Sequence, residues 1–181
     1  GFDTMDYSED LFSNGVYVDL LTNQATYTTS AKGFEHVIGS IEDDEIYGSE
    51  IANYPRGGEG KDHIVGRGGN DIIIGDDGAD ELEGNDGRDI IIAGNGGGRS
   101  WGGAGDDILI AGYTQFDNSP NSLVAIQLAW LKAESYRNRV TALTQTGLPS
   151  GEKMTNLTVD PGSGSEELTG GTGLDLFFAS D

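Results

Sequence analysis

From Gly39 to Ile110, polar glycine-rich stretches alternate with short apolar patches at a period of nine residues, without a slip, through eight blocks. The blocks read GSIEDDEIY, GSEIANYPR, GGEGKDHIV, GRGGNDIII, GDDGADELE, GNDGRDIII, AGNGGGRSW and GGAGDDILI. Two more, PGSGSEELT from Pro161 and GGTGLDLFF from Gly170, follow an interruption. Glycine recurs at positions 1, 2 and 4 of a block, where tight turns need backbone conformations closed to a Cβ, and aspartate recurs at position 6, ending the turn. Positions 7 to 9 predict a short strand. Its position 8 is Ile46, Ile64, Ile73, Leu82, Ile91, Leu109, Leu168 or Phe177, an apolar side chain aimed into a shared core, with Pro55 and Ser100 breaking the row.

Positions 7 and 9 face the other way, and alternate blocks differ there. One set carries Ile72, Ile74, Ile90, Ile92, Ile108 and Ile110; the other includes Glu45, His63, Glu81, Glu83 and Arg99. Six outward isoleucines on one sheet predict a covering layer, because water would not leave such a patch bare. The candidate cover lies in the interruption from Tyr113 to Asp160. There Ser119-Pro120 offers an N-cap and a first-turn proline, and NSLVAIQLAWLKAESYRNRVTAL predicts a helix with a break near Glu134 and Ser135. Leu123, Ile126, Gln127, Trp130, Leu131, Val140 and Leu143 form its apolar face, expected to fold back over the isoleucines, while Lys132, Arg137 and Arg139 are expected on a solvated face.

Composition adds a missing partner. The 181 residues contain 30 Gly and 31 Asp plus Glu against 10 Lys plus Arg, a net charge of -21 that repels itself unless bound cations neutralise it. Nucleic acid is excluded as a partner by that charge. With no Cys and only His36 and His63, disulfides, thiolate zinc sites and histidine-based metal centres are excluded, leaving oxygen ligands, which suit calcium. An aspartate beside a glycine is ordinarily a solvated turn residue, but repeated in phase it sets like charges in adjacent coils, a conflict that cations resolve. No apolar run approaches the roughly 20 residues that span a bilayer and no basic-then-apolar leader is visible, so membrane contact is not expected. Residues Gly1-Phe2-Asp3-Thr4-Met5-Asp6 read like the last six positions of a block, so the expectation is a monomeric module cut from a larger parent chain.

The blocks resemble the RTX (repeats-in-toxin, hemolysin-type) family, whose motif is GGxGxDxUx with U a large apolar residue. Residues 1–38, with DTMDYS, GVYVDLLTNQAT and FEHVIGS, resemble the lead-in to such arrays. The resemblance implies an all-β fold with a helical insertion: a right-handed parallel β-roll, in which successive blocks alternate between two sheets and like-sided turns stack. The expected organisation is a β lead-in over 1–38, the roll over 39–110, a helical insertion over 111–160 and closing repeats over 161–181.

The resemblance also implies calcium between stacked turns, held by the Asp and the carbonyls of positions 2 and 4 in one turn and by the Asp and the carbonyls of positions 1 and 3 one coil later. Carried over, Asp44 and Asp62 would share an ion with Ser40, Glu42, Gly57 and Glu59, and Asp62 and Asp80 another with Gly58, Gly60, Gly75 and Asp77. On the other side, Asp71 and Asp89 would act with Arg67, Gly69, Gly84 and Asp86, and Asp89 and Asp107 with Asn85, Gly87, Gly102 and Ala104. If alternation resumes after the interruption, Asp107 and Asp175 add a set with Gly103, Gly105, Gly170 and Thr172, making five well-formed sites. Weak or empty sites are expected where Asn53 faces Asp71 and where Gly98 faces Asp80.

The function so implied is a calcium-binding structural module of a secreted or cell-surface protein of a Gram-negative bacterium, exported by type I secretion and folding on calcium outside the cell, with adhesion as one use. The alternative is an accessory domain of an exported protease, lipase or polysaccharide-modifying enzyme. Catalysis by this chain itself is not expected. Gly98-Arg99-Ser100-Trp101-Gly102 matches GxSxG, yet Ser100 falls at an inward position and both histidines precede it, the reverse of the hydrolase order.

Overall fold

The computed structural model describes residues 3–9, 14–28, 30–132, 134–146 and 166–178. The coil expected from Pro161 is therefore seen only from Glu166 onward; its first five positions, like Gly1, Phe2 and Asp181, lie outside the described residues. The chain winds between two seven-stranded sheets. The first, the isoleucine sheet, orders β1 (Thr4–Asp6), β4 (His36–Ile38), β6 (Tyr54–Glu59), β8 (Ile72–Asp77), β10 (Ile90–Ile92), β12 (Ile108–Ile110) and β14 (Leu176–Phe178). The second, the acidic sheet, orders β13 (Glu166–Thr172), β11 (Gly98–Ala104), β9 (Asp80–Asp86), β7 (His63–Gly68), β5 (Glu45–Tyr47), β2 (Tyr17–Asp19) and β3 (Gln24–Ala25). Every pairing is parallel except β2 with β3. This is the parallel β-roll that the resemblance to RTX arrays implies.

Two blocks make one coil, so identical block positions stack: Ile72, Ile90 and Ile108 lie side by side, as do Ile73, Ile91 and Leu109. Position 8 fills the space between the sheets, where Ile46, Ile64 and Leu82 meet Val37, Ile73, Ile91 and Leu109 in one cluster. Met5, Val18 and Val37 continue that row through strands that lack the glycine motif. Pro55 and Ser100 occupy the inward position and are buried despite breaking the apolar pattern.

Outside the isoleucine sheet lies a second core. Ile72, Ile74, Ile90, Ile92, Ile108 and Ile110 pack with Phe116, Leu123, Ile126, Ala129, Trp130 and Leu143 of the insertion, giving the third layer. The insertion folds as α1 (Pro120–Trp130), a break, α2 (Tyr136–Thr141) and a π-helical turn (Ala142–Thr146). Pro120 takes the first turn, but Ser119 departs from expectation: its side chain makes no cap and its Oγ lies 2.9 Å from that of Ser122. Ser135 caps α2, accepting from the Asn138 amide at 3.3 Å. Arg139 corrects a second expectation. Only 3 % exposed, it pairs with Asp106 and lies over the Trp130 ring at 4.8 Å, so the apolar stripe of α2 cannot be read without this buried, charge-compensated member.

The insertion interrupts the sequence without changing the ladder. Asp107 donates from its amide to Asp175, 68 residues ahead, in the way that Asp89 donates to Asp107, 18 ahead. Among the described residues no helix is long and apolar enough to cross a membrane. Trp130 is fully buried at the centre of the outer core, so Trp130→Ala is expected to cost about 3–5 kcal/mol in urea unfolding with calcium present. Leu128→Ala, at a residue 61 % exposed on the same helix, is expected to cost less than about 0.5 kcal/mol.

Candidate metal centres

The turns form two stacks, one along each margin of the roll. Residues 39–44, 57–62, 75–80 and 93–98 lead into the acidic sheet and make the first stack; 48–53, 66–71, 84–89, 102–107 and 170–175 lead into the isoleucine sheet and make the second. In five position-6 carboxylates one oxygen is bonded and the other is not. Oδ1 accepts the backbone amide of the position-6 residue one coil earlier: Asp62 from Asp44 at 2.9 Å, Asp80 from Asp62 at 2.9 Å, Asp71 from Asn53 at 2.7 Å, Asp89 from Asp71 at 2.7 Å and Asp107 from Asp89 at 2.9 Å. Oδ2 is left over. In Asp62, Asp71, Asp80, Asp89 and Asp107 this second oxygen is buried with no hydrogen-bond donor.

A carbonyl oxygen approaches each of these orphans. A methyl group placed on Gly57 would strike both Asp62 Oδ2 and the Gly75 carbonyl one coil on; on Gly84 it would strike Asp89 Oδ2 and the Gly102 carbonyl. The same pairs recur at Gly66 with Asp71 and the Gly84 carbonyl, at Gly75 with Asp80 and the Ala93 carbonyl, and at Gly102 with Asp107 and the Gly170 carbonyl. A carboxylate oxygen without a donor beside a carbonyl oxygen describes a space that suits a cation. A Cβ at Gly57, Gly66, Gly75, Gly84 or Gly102 would fill that space, and the one alanine at position 1 of the eight continuous blocks, Ala93, stands where position 6, Gly98, has no carboxylate. Among the described residues no group of three or more His, Asp or Glu side chains could hold a metal, so a cation here must draw mostly on backbone carbonyls, as calcium does and zinc does not.

Burial raises these carboxyls far above the ordinary aspartate value: Asp62 and Asp89 to about 8, Asp71, Asp80 and Asp107 to about 7. The charged neighbours in the column push the same way, Asp71 and Asp107 on Asp89, Asp44 and Asp80 on Asp62.

Residues 56–91 match the family model described as RTX calcium-binding nonapeptide repeat (4 copies). Residues 56–91 of this roll are RTX repeats. Repeats of this kind bind calcium as a class. No curated protein and no solved structure matches the chain.

The RTX roll is not uniform. Asp44 joins the first column, but both of its oxygens have protein donors, Oδ1 from Val16 N at 2.7 Å and Ser40 Oγ at 2.8 Å, and Oδ2 from Ser40 N at 2.6 Å. Ser49 covers the oxygen of Asn53 through its amide at 2.7 Å and its hydroxyl at 3.1 Å, while Asn53 Nδ2 is buried without a hydrogen-bond partner. Beside that turn Arg67, at position 2 of its block, donates to the Gly48 carbonyl at 2.8 Å and to both oxygens of Asp19 at 2.8 and 3.0 Å, holding the Asp19 carboxyl down at about 2. In the earliest turn of each stack the position-6 oxygens therefore have protein donors. Asp175 receives the Asp107 amide at 3.0 Å, and Thr172, Gly170 and Gly171 pair with the preceding coil as the register requires.

In the first stack Gly98 supplies no carboxylate, and Glu166 fills the next coil. Its longer side chain turns inward, where Ser100 Oγ donates to Oε1 at 2.7 Å. Ser100 is thus a buried partner of a glutamate. The histidines are engaged elsewhere, His36 with Thr4 at 3.1 Å and stacked on Tyr54, His63 beside Tyr47. The sequence pattern did not point to Ser40, Arg67 with Asp19, or Glu166 with Ser100 as partners; serine at position 2 in two successive blocks was the one readable sign.

Stability of the calcium-free roll is expected to fall with rising pH. The folded carboxyls titrate near 7 to 8 and the unfolded ones near about 4, so between those values the folded chain holds protons that the unfolded chain has released. In excess chelator, circular dichroism is expected to show more β-structure at pH 5 than at pH 8, and the calcium concentration needed to wind the chain is expected to rise from pH 6 to 8, because protons and calcium neutralise the same carboxyls. Equal folding of the chelated chain at both pH values would contradict this origin of the instability.

Proposed function

We propose that this chain is a calcium-gated folding module of an exported bacterial RTX protein, expanded where calcium is scarce and wound where it is plentiful. The five orphaned carboxylate oxygens carry the reading. Asp62 Oδ2 with the Gly75 carbonyl, Asp71 with Gly84, Asp89 with Gly102 and Asp107 with Gly170 would hold the ions, joined by the carbonyls of Gly58, Gly60, Arg67, Gly69, Asn85, Gly87, Gly103 and Gly105. Bound calcium supplies the positive charge that lets stacked carboxylates stay ionised in a buried column. Asp80 with the Ala93 carbonyl would serve as a fifth centre despite the missing carboxylate at Gly98, and it ranks above Asp44, whose oxygens Ser40 and Val16 already saturate.

The magnitudes favour gating. Extracellular calcium modules bind with dissociation constants of about 10⁻⁴ to 10⁻³ M, far above cytosolic calcium. At ten times the constant each independent site contributes about 1.4 kcal/mol, so five supply about 7, comparable with a whole domain's stability of about 5–15 kcal/mol. Residues with these affinities would leave the chain unwound before export and wound after it.

A calcium titration followed by circular dichroism and calorimetry tests the reading. The chain is expected to gain β-structure between micromolar and millimolar calcium, and Asp89→Asn is expected to raise the midpoint several-fold. Asp86→Asn changes a side chain whose residue offers only a backbone carbonyl, and should leave the midpoint within about twofold. A full β-signal in chelator, unaltered by calcium, would remove the basis for gating.

A further inference from the structure

The two turn stacks differ in what touches them from outside. Gln127 of α1, almost fully buried, donates from Nε2 to the carbonyls of Asn70 at 2.7 Å and Asp71 at 3.1 Å. Trp130 Nε1 donates to the Asp106 carbonyl, Arg139 of α2 pairs with the Asp106 carboxylate, and Tyr136 donates to the Asp175 carbonyl at 3.0 Å. Asp71, Asp107 and Asp175 are all members of the second stack. The first stack is met instead by the segment ahead of the helices, where Tyr113 donates to Asp77 and Asn118 accepts from Arg56.

The apolar contacts span both stacks, because each isoleucine strand starts at a second-stack turn and runs on toward the first, Ile74 into Gly75 and Ile92 into Ala93. Every isoleucine under the helices belongs to a strand that begins directly after a second-stack aspartate: Ile72 after Asp71, Ile90 after Asp89, Ile108 after Asp107. The carbonyls that receive Gln127 and Trp130 are those of the last two turn residues before these strands, so their direction is fixed only while the turn is wound. If such a turn opens, buried donors on the helices lose their acceptors and the isoleucine ladder beneath them loses its register.

We propose that docking of the helical insertion reads the calcium state of the second turn stack and not that of the first. The proposal rests on the folding-module reading above. Gln127, Trp130 and Tyr136 form the link, each holding a backbone carbonyl adjacent to or within a carboxylate-bearing turn, and Arg139 fixes the side chain next to Asp107. Coupling of this kind is reciprocal: calcium favours docking by the factor by which docking favours calcium, so loosening the contacts that link them must weaken calcium binding.

Trp130 reports the docking directly. The chain has two tryptophans, and Trp101→Phe leaves Trp130 as the sole emitter. In that background, emission maximum and acrylamide quenching are followed through a calcium titration, with circular dichroism and calorimetry on the same samples. Asp89→Asn, in the second stack and untouched by the helices' hydrogen bonds described above, is expected to raise the calcium midpoint of Trp130 burial at least about fivefold. Asp62→Asn, in the first stack, is expected to shift it less than about twofold while still lowering bound calcium. Equal shifts in the two variants, or a Trp130 already buried in excess chelator, would overturn the proposal.

Should Asp89→Asn fail to wind, Gln127→Met supplies the reciprocal test: it keeps the helix and removes both carbonyl contacts, and an unchanged calcium midpoint would equally overturn it. Failure of the wild-type chain to take up calcium defeats the folding-module reading itself. Calcium uptake with a normal β-signal but an unmoved Trp130 defeats only the coupling.

Discussion

A carboxylate with one oxygen bonded and the other stranded is the constraint from which this structure follows. Oδ1 of each column aspartate receives the amide of the coil before it, which fixes the coil spacing and the register of both sheets. That bond leaves Oδ2 buried between turns without a hydrogen-bond donor, near a carbonyl oxygen of the next coil. The backbone order and the electrostatic conflict are thus produced by the same side chain. A roll of this kind cannot have the first without the second, and neutralisation by protons or divalent ions becomes a condition of winding.

The array is closed differently where it starts. Ser40 and Ser49 turn a hydroxyl and an amide onto Asp44 and Asn53, and Arg67 brings a guanidinium to Asp19 and the Gly48 carbonyl. These are ordinary protein solutions to the problem that cations solve further along. Together with the antiparallel β2–β3 pairing and the apolar side chains of Met5, Val18 and Val37, they give the roll a first coil whose carboxylates already have donors.

Much of this was legible in the residues because a solenoid repeats its instructions. Position 8 specified the inner core and positions 7 and 9 separated an isoleucine sheet from an acidic one, since strand side chains alternate and blocks alternate between sheets. The helix and its break near Ser135 followed from apolar spacing. What escaped was whatever depends on pairs far apart or on backbone acceptors. Arg139 looks like a solvent-facing residue until Asp106 and Trp130 are placed beside it. Gln127 gives no sign in sequence that its targets are two carbonyls 56 and 57 residues away. Glu166 reads as a degraded aspartate, although its extra methylene is what lets it reach Ser100.

The 68-residue step across the insertion bears on the order in which the roll can form. Coils in the continuous array meet partners 18 residues away, whereas β11 with β13 and β12 with β14 must join across 68. Loop-closure entropy makes that longer step dearer by about 1 kcal/mol, nearly two doublings of chain length. The last coil is therefore the natural late event of assembly. Until it closes, the growing end of the roll presents Leu109 and Ser100 as an open cross-section, a template edge on which the final turn must arrive in phase.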